Sequence, residues 1–171
     1  MGFQIISRAG WRGNARPFHK AVDSPLVASL CGEIEDALEA TRRGEMTRAD
    51  FDTLKAERKR RLPVITPHAT FRNGRRLNAD AVPSGLSMYD VDHINDPRGY
   101  YQARVAGREE ELGVALAHVT PSAEGLRLIF VVPQAGMTLE AAQRWMSERL
   151  GEEVAYDGAV KDLARCSFLV P

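Results

Sequence analysis

The sequence predicts an α+β domain in which a mixed or antiparallel sheet is flanked by helices. Two observations predict this class. Helical patterns come first, up to residue 62, and from residue 63 onward strand-like segments alternate with two more helical patterns. A length of 171 residues suits a single domain. We therefore expect one domain over residues 1–171, with a smaller helical and stranded N-terminal part (1–62) and a sheet unit (63–171) that carries the functional site.

The N-terminal part is predicted to hold two helices after a short edge strand in "FQIIS". The first helix begins with Ser24 as the N-cap and Pro25 at the first helical position. The second begins at Thr47 and Asp50, which resemble a capping box. This helix must end before Pro63, because proline interrupts helical hydrogen bonding.

The sheet unit is predicted from apolar and β-branched segments that are bounded by turn residues. Asp96 and Pro97 form an N-cap and a first-turn proline for a helix that reaches about Arg108, and another amphipathic helix is expected at 138–151. The strand-like segments are "VITPHATF", "GLSMYDVD", "LGVALAHVT", "GLRLIFVVP" and "CSFLVP".

Composition excludes several classes of protein. Lys and Arg together number 23, as do Asp and Glu, so no global positive field attracts nucleic acid and any such partner needs a local patch. Two cysteines are too few for a disulfide framework or a structural zinc site. No signal peptide or membrane-length apolar run is present, which predicts a cytoplasmic protein without a membrane partner.

Two aspartates, Asp90 and Asp92, end the apolar run "GLSMYDVD". Side chains two residues apart on a strand point to the same face, so these carboxylates should converge. Two close anions are costly to bury without a partner, and a divalent cation with oxygen ligands removes that cost. The pattern therefore indicates a site for Mg²⁺ or Mn²⁺, although an isolated D-x-D pair is more often a solvated strand end.

Polar and basic residues downstream and upstream of the acid pair indicate phosphate binding. The turn from Ser122 to Gly125 precedes a strand whose third residue is Arg127, which together predict a triphosphate cradle. The basic segments "ERKRR" (57–61) and "RNGRR" (72–76), the second with Arg75 and Arg76, could contact phosphates, although a solvated helix end is the plain alternative for the first.

Three motifs in this order resemble those of the archaeo-eukaryotic primase, or primase-polymerase, superfamily. They are "SGLSMYDVDHINDP", "TPSAEGLRLIF" and "YDGAVKDLARCSF". The likeness is greatest to the primase-polymerase-like N-terminal domains of virulence-associated-E-type proteins of bacterial mobile elements and phages. It covers roughly residues 47–170.

The resemblance implies a role for each matching residue. Asp90, Asp92 and Asp157 would be the catalytic acids and metal ligands, with Asp162 as the competing candidate for the third acid. Arg127 stands where the superfamily usually has histidine, and arginine keeps the positive charge but cannot accept and return a proton. Ser122 and Arg127 match the second motif and would bind the nucleotide, and Gly125 of the turn and the basic residues Arg165, Arg75 and Arg76 are the further nucleotide-binding candidates.

The function implied is that of a DNA primase or polymerase in the replication of a mobile element or phage. It would have an RRM-like fold and use two Mg²⁺ or Mn²⁺ ions, nucleoside triphosphates and a single-stranded DNA template. The chain stops in strand-like sequence, so a helicase domain beyond residue 171 is a further expectation. The alternative is a non-catalytic, nucleic-acid-binding replication-initiator module of the same fold. A D-x-D glycosyltransferase explains neither of the other two motifs.

The histidines are not assigned to the site. His68 and His118 lie within strand-like segments, where a hydrogen-bonded structural histidine is the more common case. His93 follows the acid pair and is expected at the surface, with metal binding as its less favoured role.

Overall fold

The computed structural model describes residues 24–151 and 162–170, together with the backbone pairing of 5–6 and 13–14. The helices within these residues are α1 (Pro25–Arg42), α2 (Arg48–Lys59), α3 (Pro97–Arg104) and α4 (Leu139–Leu150). The strands are β1 (Ile5–Ile6), β2 (Gly13–Asn14), β3 (Val64–Ile65), β4 (Ala69–Phe71), β5 (Ala81–Pro83), β6 (Leu86–Asp92), β7 (Val114–Val119), β8 (Gly125–Val131) and β9 (Ser167–Phe168).

The first two helices begin as their sequences predict and pack against each other. Ser24 precedes α1 with Pro25 in the first turn, and the Thr47 hydroxyl accepts a hydrogen bond from the Asp50 amide at the start of α2. Ile34 of α1 and Phe51 of α2 are fully buried in a shared cluster. This packing gives the short α2 the tertiary support that a helix of its length needs in water.

The strand pairs among the described residues are all antiparallel and form three sheets. The orders are β2-β1-β3-β9, β4-β5 and β6-β8-β7. The order β6, α3, β7, β8, α4 follows the β-α-β-β-α part of a ferredoxin-like arrangement.

Register in the three-stranded sheet places three polar residues in one row. Asp90 of β6 lies opposite Arg127 of β8, and His118 of β7 lies opposite the same arginine. A β-bulge between Val114 and Leu116 adds one residue to β7 and resets the alternation of its side chains. His118 therefore shares a sheet face with Arg127.

The two faces of this sheet are covered differently. Side chains such as Tyr89 and Phe130 pack on the face covered by α3 and α4, where the Phe130 and Trp145 rings stack with centroids 6.2 Å apart. On the other face, Met88 and Ile129 pack against Ile65 of β3. Because alternation continues along β6 and β8, the polar row lies on this second face, next to the β3–β9 sheet.

The α+β class with antiparallel sheets and flanking helices is confirmed, and three local predictions are wrong. The segment "VITPHATF" forms two strands, β3 and β4, because Pro67 between them has no N–H to donate to a ladder. Strand β4 pairs with β5, which lies in a segment predicted to be turns. Helix α3 ends at Arg104, about one turn early, and Gly107 in the following loop has a φ of 78°.

None of the helices within residues 24–151 and 162–170 is long and apolar enough to cross a membrane.

The packing of β6 against β8 can be tested at Gly125, where the two strands are in close contact. A Cβ atom there would lie 2.9 Å from the main-chain oxygen of Val91 and 3.0 Å from Asp92 Oδ1. We expect Gly125→Ala to lower the free energy of unfolding by about 1–3 kcal/mol, because the backbone must shift. Urea denaturation measures the change.

The matched control is Gly32→Ala in α1, where no heavy atom lies within 4 Å of the added Cβ. We expect that substitution to stabilise the protein by about 0.5–1 kcal/mol, because alanine favours the helix. Equal effects at the two positions would contradict the packing described for Gly125.

Candidate functional site

A cavity of about 370 Å³ lies between the polar face of the three-stranded sheet and the β3–β9 sheet. This volume is within the usual range for small-molecule sites. Its lining contains four cationic and two anionic side chains together with an apolar wall. The lining residues are Lys59, Val64, Arg76, Asp90, Asp92, Thr120, Pro121, Ser122, Arg127, Arg165, Cys166 and Phe168.

Strand β6 places the carboxylates of both predicted acids in the lining of this cavity. Asp90 and Asp92 are two residues apart and face the cavity, whereas Val91 between them packs in the core on the opposite side. Asp92 is exposed and makes no hydrogen bond or ion pair within the described residues. The predicted convergence of the two acids on one face is therefore confirmed.

Asp90 has a partner that the sequence did not predict. The Arg127 guanidinium binds it in a bidentate ion pair, with Nε on one carboxylate oxygen and Nη2 at 2.6 Å from the other. Only 6% of the Asp90 side chain and 12% of the Arg127 side chain are exposed. Buried ions need this kind of full pairing, because each loses its hydration.

The third nitrogen of Arg127 is also engaged. Nη1 donates to Ser167 Oγ at 2.9 Å, and that hydroxyl lies 3.5 Å from His118 Nε2. Ser167 is fully buried on β9. The guanidinium is therefore held by protein oxygens on all three nitrogens, which directs it at Asp90 and Ser167.

His118 is buried and held as a neutral ring. Burial lowers the pKa of His118 to about 4, and the nearby charge of Arg127 lowers it too. Nδ1 lies 3.0 Å from the main-chain oxygen of Val119, which can only accept, so Nδ1 carries the hydrogen. Nε2 is then left as an acceptor that faces Ser167.

Three other cations line the cavity. Arg76 donates from Nη1 to the main-chain oxygen of Ala164 at 2.6 Å, which fixes its side chain. Lys59 extends from the end of α2, and its Nζ lies 5.1 Å from the centre of the Phe168 ring. Partial burial lowers the pKa of Lys59, and the positive charges of Lys55 and Arg127 lower it further. With Arg165, these side chains leave the cavity with more positive than negative charges.

The turn between β7 and β8 closes one end of the cavity. The hydroxyls of Thr120 and Ser122 lie 2.9 Å apart, and both residues line the cavity. Ala123 has a φ of 56°, a strained value for a residue with a side chain. Arg48 of α2 holds Glu124 of this turn through two hydrogen bonds of 2.7 and 2.9 Å. The predicted polar turn is thus anchored beside the acid pair.

The acid pair can hold a divalent cation only with outside help. Residues 24–151 and 162–170 contain no group of three or more His, Cys, Asp or Glu side chains that could form a complete metal site. Mg²⁺ commonly uses one or two carboxylates and takes its other ligands from water and substrate phosphates. Each oxygen of Asp90 retains a lone pair beyond its bond to Arg127. The donor set therefore fits a metal–phosphate complex better than a bare ion.

The remaining predicted residues are dispersed. Asp157 lies outside the described residues, so its role stays a prediction. Asp162 is exposed, and its Oδ1 accepts from the Ala164 amide at 2.9 Å. Arg75 is exposed and does not line the cavity. Gly125 lies beside Asp92 as its cross-strand partner, where it leaves room for that carboxylate.

A comparison with protein families gives one match. The model of the BT4734-like N-terminal domain matches residues 57–170, two thirds of the chain. The chain belongs to this family. The comparisons with curated proteins and with solved structures find no match.

The BT4734-like N-terminal domain family is a different family from the primase-polymerase superfamily, so the predicted membership of that superfamily is wrong. The prediction used three short motifs, and patterns such as D-x-D recur in unrelated proteins. The matched region includes every residue of the cavity described above. The cavity is therefore a feature of the family-matched part of the chain.

Sequence reasoning missed two residues beside the site, His118 and Ser167. The sequence predicts a structural role for His118, and the ring is hydrogen-bonded and buried, but it lies within the polar row of the site. No local signal marks Ser167, because only the pairing of β9 brings it to Arg127. His68, by contrast, is structural as predicted: Nδ1 bonds the main-chain oxygen of Asp162, and Nε2 accepts from the Met88 amide.

The buried ion pair gives a stability test. Arg127→Ala should lower the free energy of unfolding by roughly 3–5 kcal/mol, because it leaves Asp90 buried without a counter-charge. The double variant Asp90→Leu with Arg127→Met should lose much less, since both charges are gone. Urea denaturation of Asp90→Leu alone, Arg127→Met alone and the double variant gives the coupling energy.

Arg43→Ala, which breaks an exposed ion pair with Glu45, serves as the control and should have little effect. Additive losses in the cycle would contradict a buried pair.

His118 gives a pH test. Its folded pKa of about 4 lies below the usual 6.5, so folding is disfavoured once the unfolded chain binds the proton. The contribution of neutral His118 to the free energy of unfolding is fully present above about pH 6.5 and is lost as the pH falls toward 4. The loss is about 2 kcal/mol at pH 5. Urea denaturation at pH 7 and at pH 5 measures this loss. We expect the difference between the two free energies of unfolding to be much smaller in His118→Gln than in the parent protein.

The control is His93→Asn at an exposed histidine with a φ of 59°, which asparagine tolerates. An unchanged pH dependence in His118→Gln would show that His118 is not buried in the neutral form.

Proposed function

We propose that this domain binds a nucleoside triphosphate together with a divalent cation and transfers the nucleotide to the end of a nucleic-acid strand. The observation that supports this most directly is the cavity that combines Lys59, Arg76 and Arg165 with the carboxylates of Asp90 and Asp92. Cationic side chains complement phosphate oxygens, and carboxylates complement Mg²⁺ or Mn²⁺. A ligand that satisfies both sets carries several phosphates and brings a metal ion.

The cavity side chains have different roles in the proposed reaction. Lys59, Arg76 and Arg165 bind phosphate oxygens, and the hydroxyls of Thr120 and Ser122 offer further hydrogen bonds at the turn. Arg127 acts on Asp90, because its nitrogens already bond to Asp90 and Ser167. Mg²⁺ or Mn²⁺ held by Asp90 and Asp92 would lower the pKa of an attacking hydroxyl and stabilise the leaving phosphates.

Arginines beside the cavity supply a path for the strand. Arg60 and Arg61 follow the cavity residue Lys59, and Arg72 and Arg75 lie in the loop that leads to Arg76. None of these four makes an ion pair within the described residues, whereas most arginines elsewhere on the surface pair with an acid. Exposed cations without acidic partners suit a phosphate backbone, so single-stranded DNA is the proposed template.

A second candidate function is a non-catalytic module that binds nucleic acid and takes part in replication initiation. The ion pair of Asp90 with Arg127 favours it, because a carboxylate held on both oxygens is a weaker metal ligand than a free one. In that case the arginines beside the cavity bind the strand, and no nucleotide is transferred.

Titration calorimetry with a nucleoside triphosphate and Mg²⁺ tests the proposed binding. We expect Arg165→Ala to raise the dissociation constant by roughly 10- to 100-fold, the effect of losing a charge-assisted hydrogen bond. EDTA should weaken binding as well, because Asp92 without a cation repels the phosphates. Arg43→Ala, which removes a positive charge that does not line the cavity, should leave binding unchanged. Equal losses in both variants would contradict the site.

Extension of a labelled, primed single strand in the presence of Mn²⁺ then separates the two functions. Incorporation that Asp92→Asn abolishes supports nucleotide transfer. Strand binding without incorporation by the parent protein, weakened by Arg60→Ala with Arg75→Ala, supports the non-catalytic module.

A further inference from the structure

A buried chain of polar groups runs behind Asp90. Arg127 binds both oxygens of that carboxylate, Ser167 accepts from Arg127 Nη1 at 2.9 Å, and His118 Nε2 lies 3.5 Å from the serine hydroxyl. The chain crosses from β6 through β8 to β9 and β7, so it joins two sheets. Ser167 and His118 are buried and do not line the cavity.

We propose that Ser167 and His118 are positioning residues that fix the Arg127 guanidinium and thereby aim the Asp90 carboxylate at a divalent cation. The inference rests on the proposed function, because it requires a cation at Asp90 and Asp92. Neither Ser167 nor His118 touches that cation. They act through Arg127, as outer partners of a metal ligand do elsewhere.

The hydrogen-bond directions support this role. The guanidinium can only donate, so Ser167 Oγ accepts from it and must place its own hydrogen elsewhere. The main-chain oxygen of Phe168, at 3.2 Å, and His118 Nε2 are the two acceptors within reach. His118 Nε2 is an acceptor because Nδ1 holds the hydrogen for Val119. Each group therefore limits the orientation of the next one, from His118 through Ser167 and Arg127 to Asp90.

Loss of the Ser167 contact would leave the Asp90–Arg127 pair free to turn as a unit. Without Ser167 Oγ, Nη1 loses the bond that ties Arg127 to β9, and the guanidinium keeps only its contacts to the carboxylate that it should orient. Asp90 and Arg127 could then turn together. The affinity for a cation should fall, although the ion pair itself survives.

The test measures binding of Mn²⁺ by electron paramagnetic resonance in the presence of a fixed, saturating concentration of inorganic triphosphate, well below the unfolding temperature of each variant. We expect Ser167→Ala to weaken Mn²⁺ binding by about 10-fold, the lower end of the effect of outer-shell substitutions. Ser167→Thr keeps the hydroxyl and should stay within about threefold of the parent. His118→Gln keeps an acceptor for Ser167 and should also bind better than Ser167→Ala.

The matched control is Ser87→Ala. Ser87 is fully buried on β6 of the same sheet, but its side chain points to the face opposite Asp90, and its hydroxyl has no partner within the described residues. We expect Ser87→Ala to bind Mn²⁺ like the parent. Asp92→Asn shows whether the Mn²⁺ ion binds at the acid pair. We expect this variant to lose the Mn²⁺ binding that Ser167→Ala only weakens.

The outcomes separate the inference from the function. If Asp92→Asn abolishes binding and Ser167→Ala matches the parent, the positioning role is overturned and the proposed function stands. If Ser167→Ala only lowers the unfolding temperature, Ser167 is structural and the inference is again overturned. If the parent shows no Mn²⁺ binding that depends on Asp92, the proposed metal site fails, and the inference fails with it.

Discussion

The candidate site depends on one interaction, the buried ion pair between Asp90 and Arg127. Removing two charges from water costs several kcal/mol each, and only close, fully hydrogen-bonded geometry offsets that cost. The geometry comes from the antiparallel register of β6 and β8, which places the two residues opposite each other. A one-residue slip of β6 would turn Asp90 toward the apolar core under α3 and α4 and would leave Arg127 without its partner. The pair therefore ties the register of the sheet to the location of the cavity.

Much of the fold could be predicted because its signals are local. The N-caps at Ser24, Thr47 and Asp96 depend on neighbouring residues only, and so does the alternation that puts Asp90 and Asp92 on one face. The break of "VITPHATF" at Pro67 was missed because the apolar pattern continues across it, whereas the pairing partners change. The local sequence pattern predicts that a strand is present, whereas pairing with strands distant in the sequence determines where that strand ends.

The site itself could be predicted only in part. The acids, the polar turn and two of the cavity arginines, Arg76 and Arg165, come together as expected. The partner of Asp90 could not be inferred, because it follows from the strand register, and His118 reaches Arg127 only through a bulge in β7. Arg127 lines the cavity, as its place after the polar turn predicts, and its nitrogens bond to Asp90 and Ser167. The family match places the chain in the BT4734-like N-terminal domain family.

Charge balance in the cavity decides what kind of ligand it favours. Arg127 neutralises Asp90, which leaves Asp92 opposed by Lys59, Arg76 and Arg165. A bare divalent cation would add to an excess of positive charge and bind weakly. An anionic phosphate chain would reduce the same excess and supply the metal with further oxygen ligands. Cation and phosphate therefore favour each other in this cavity, and by linkage each should raise the affinity for the other.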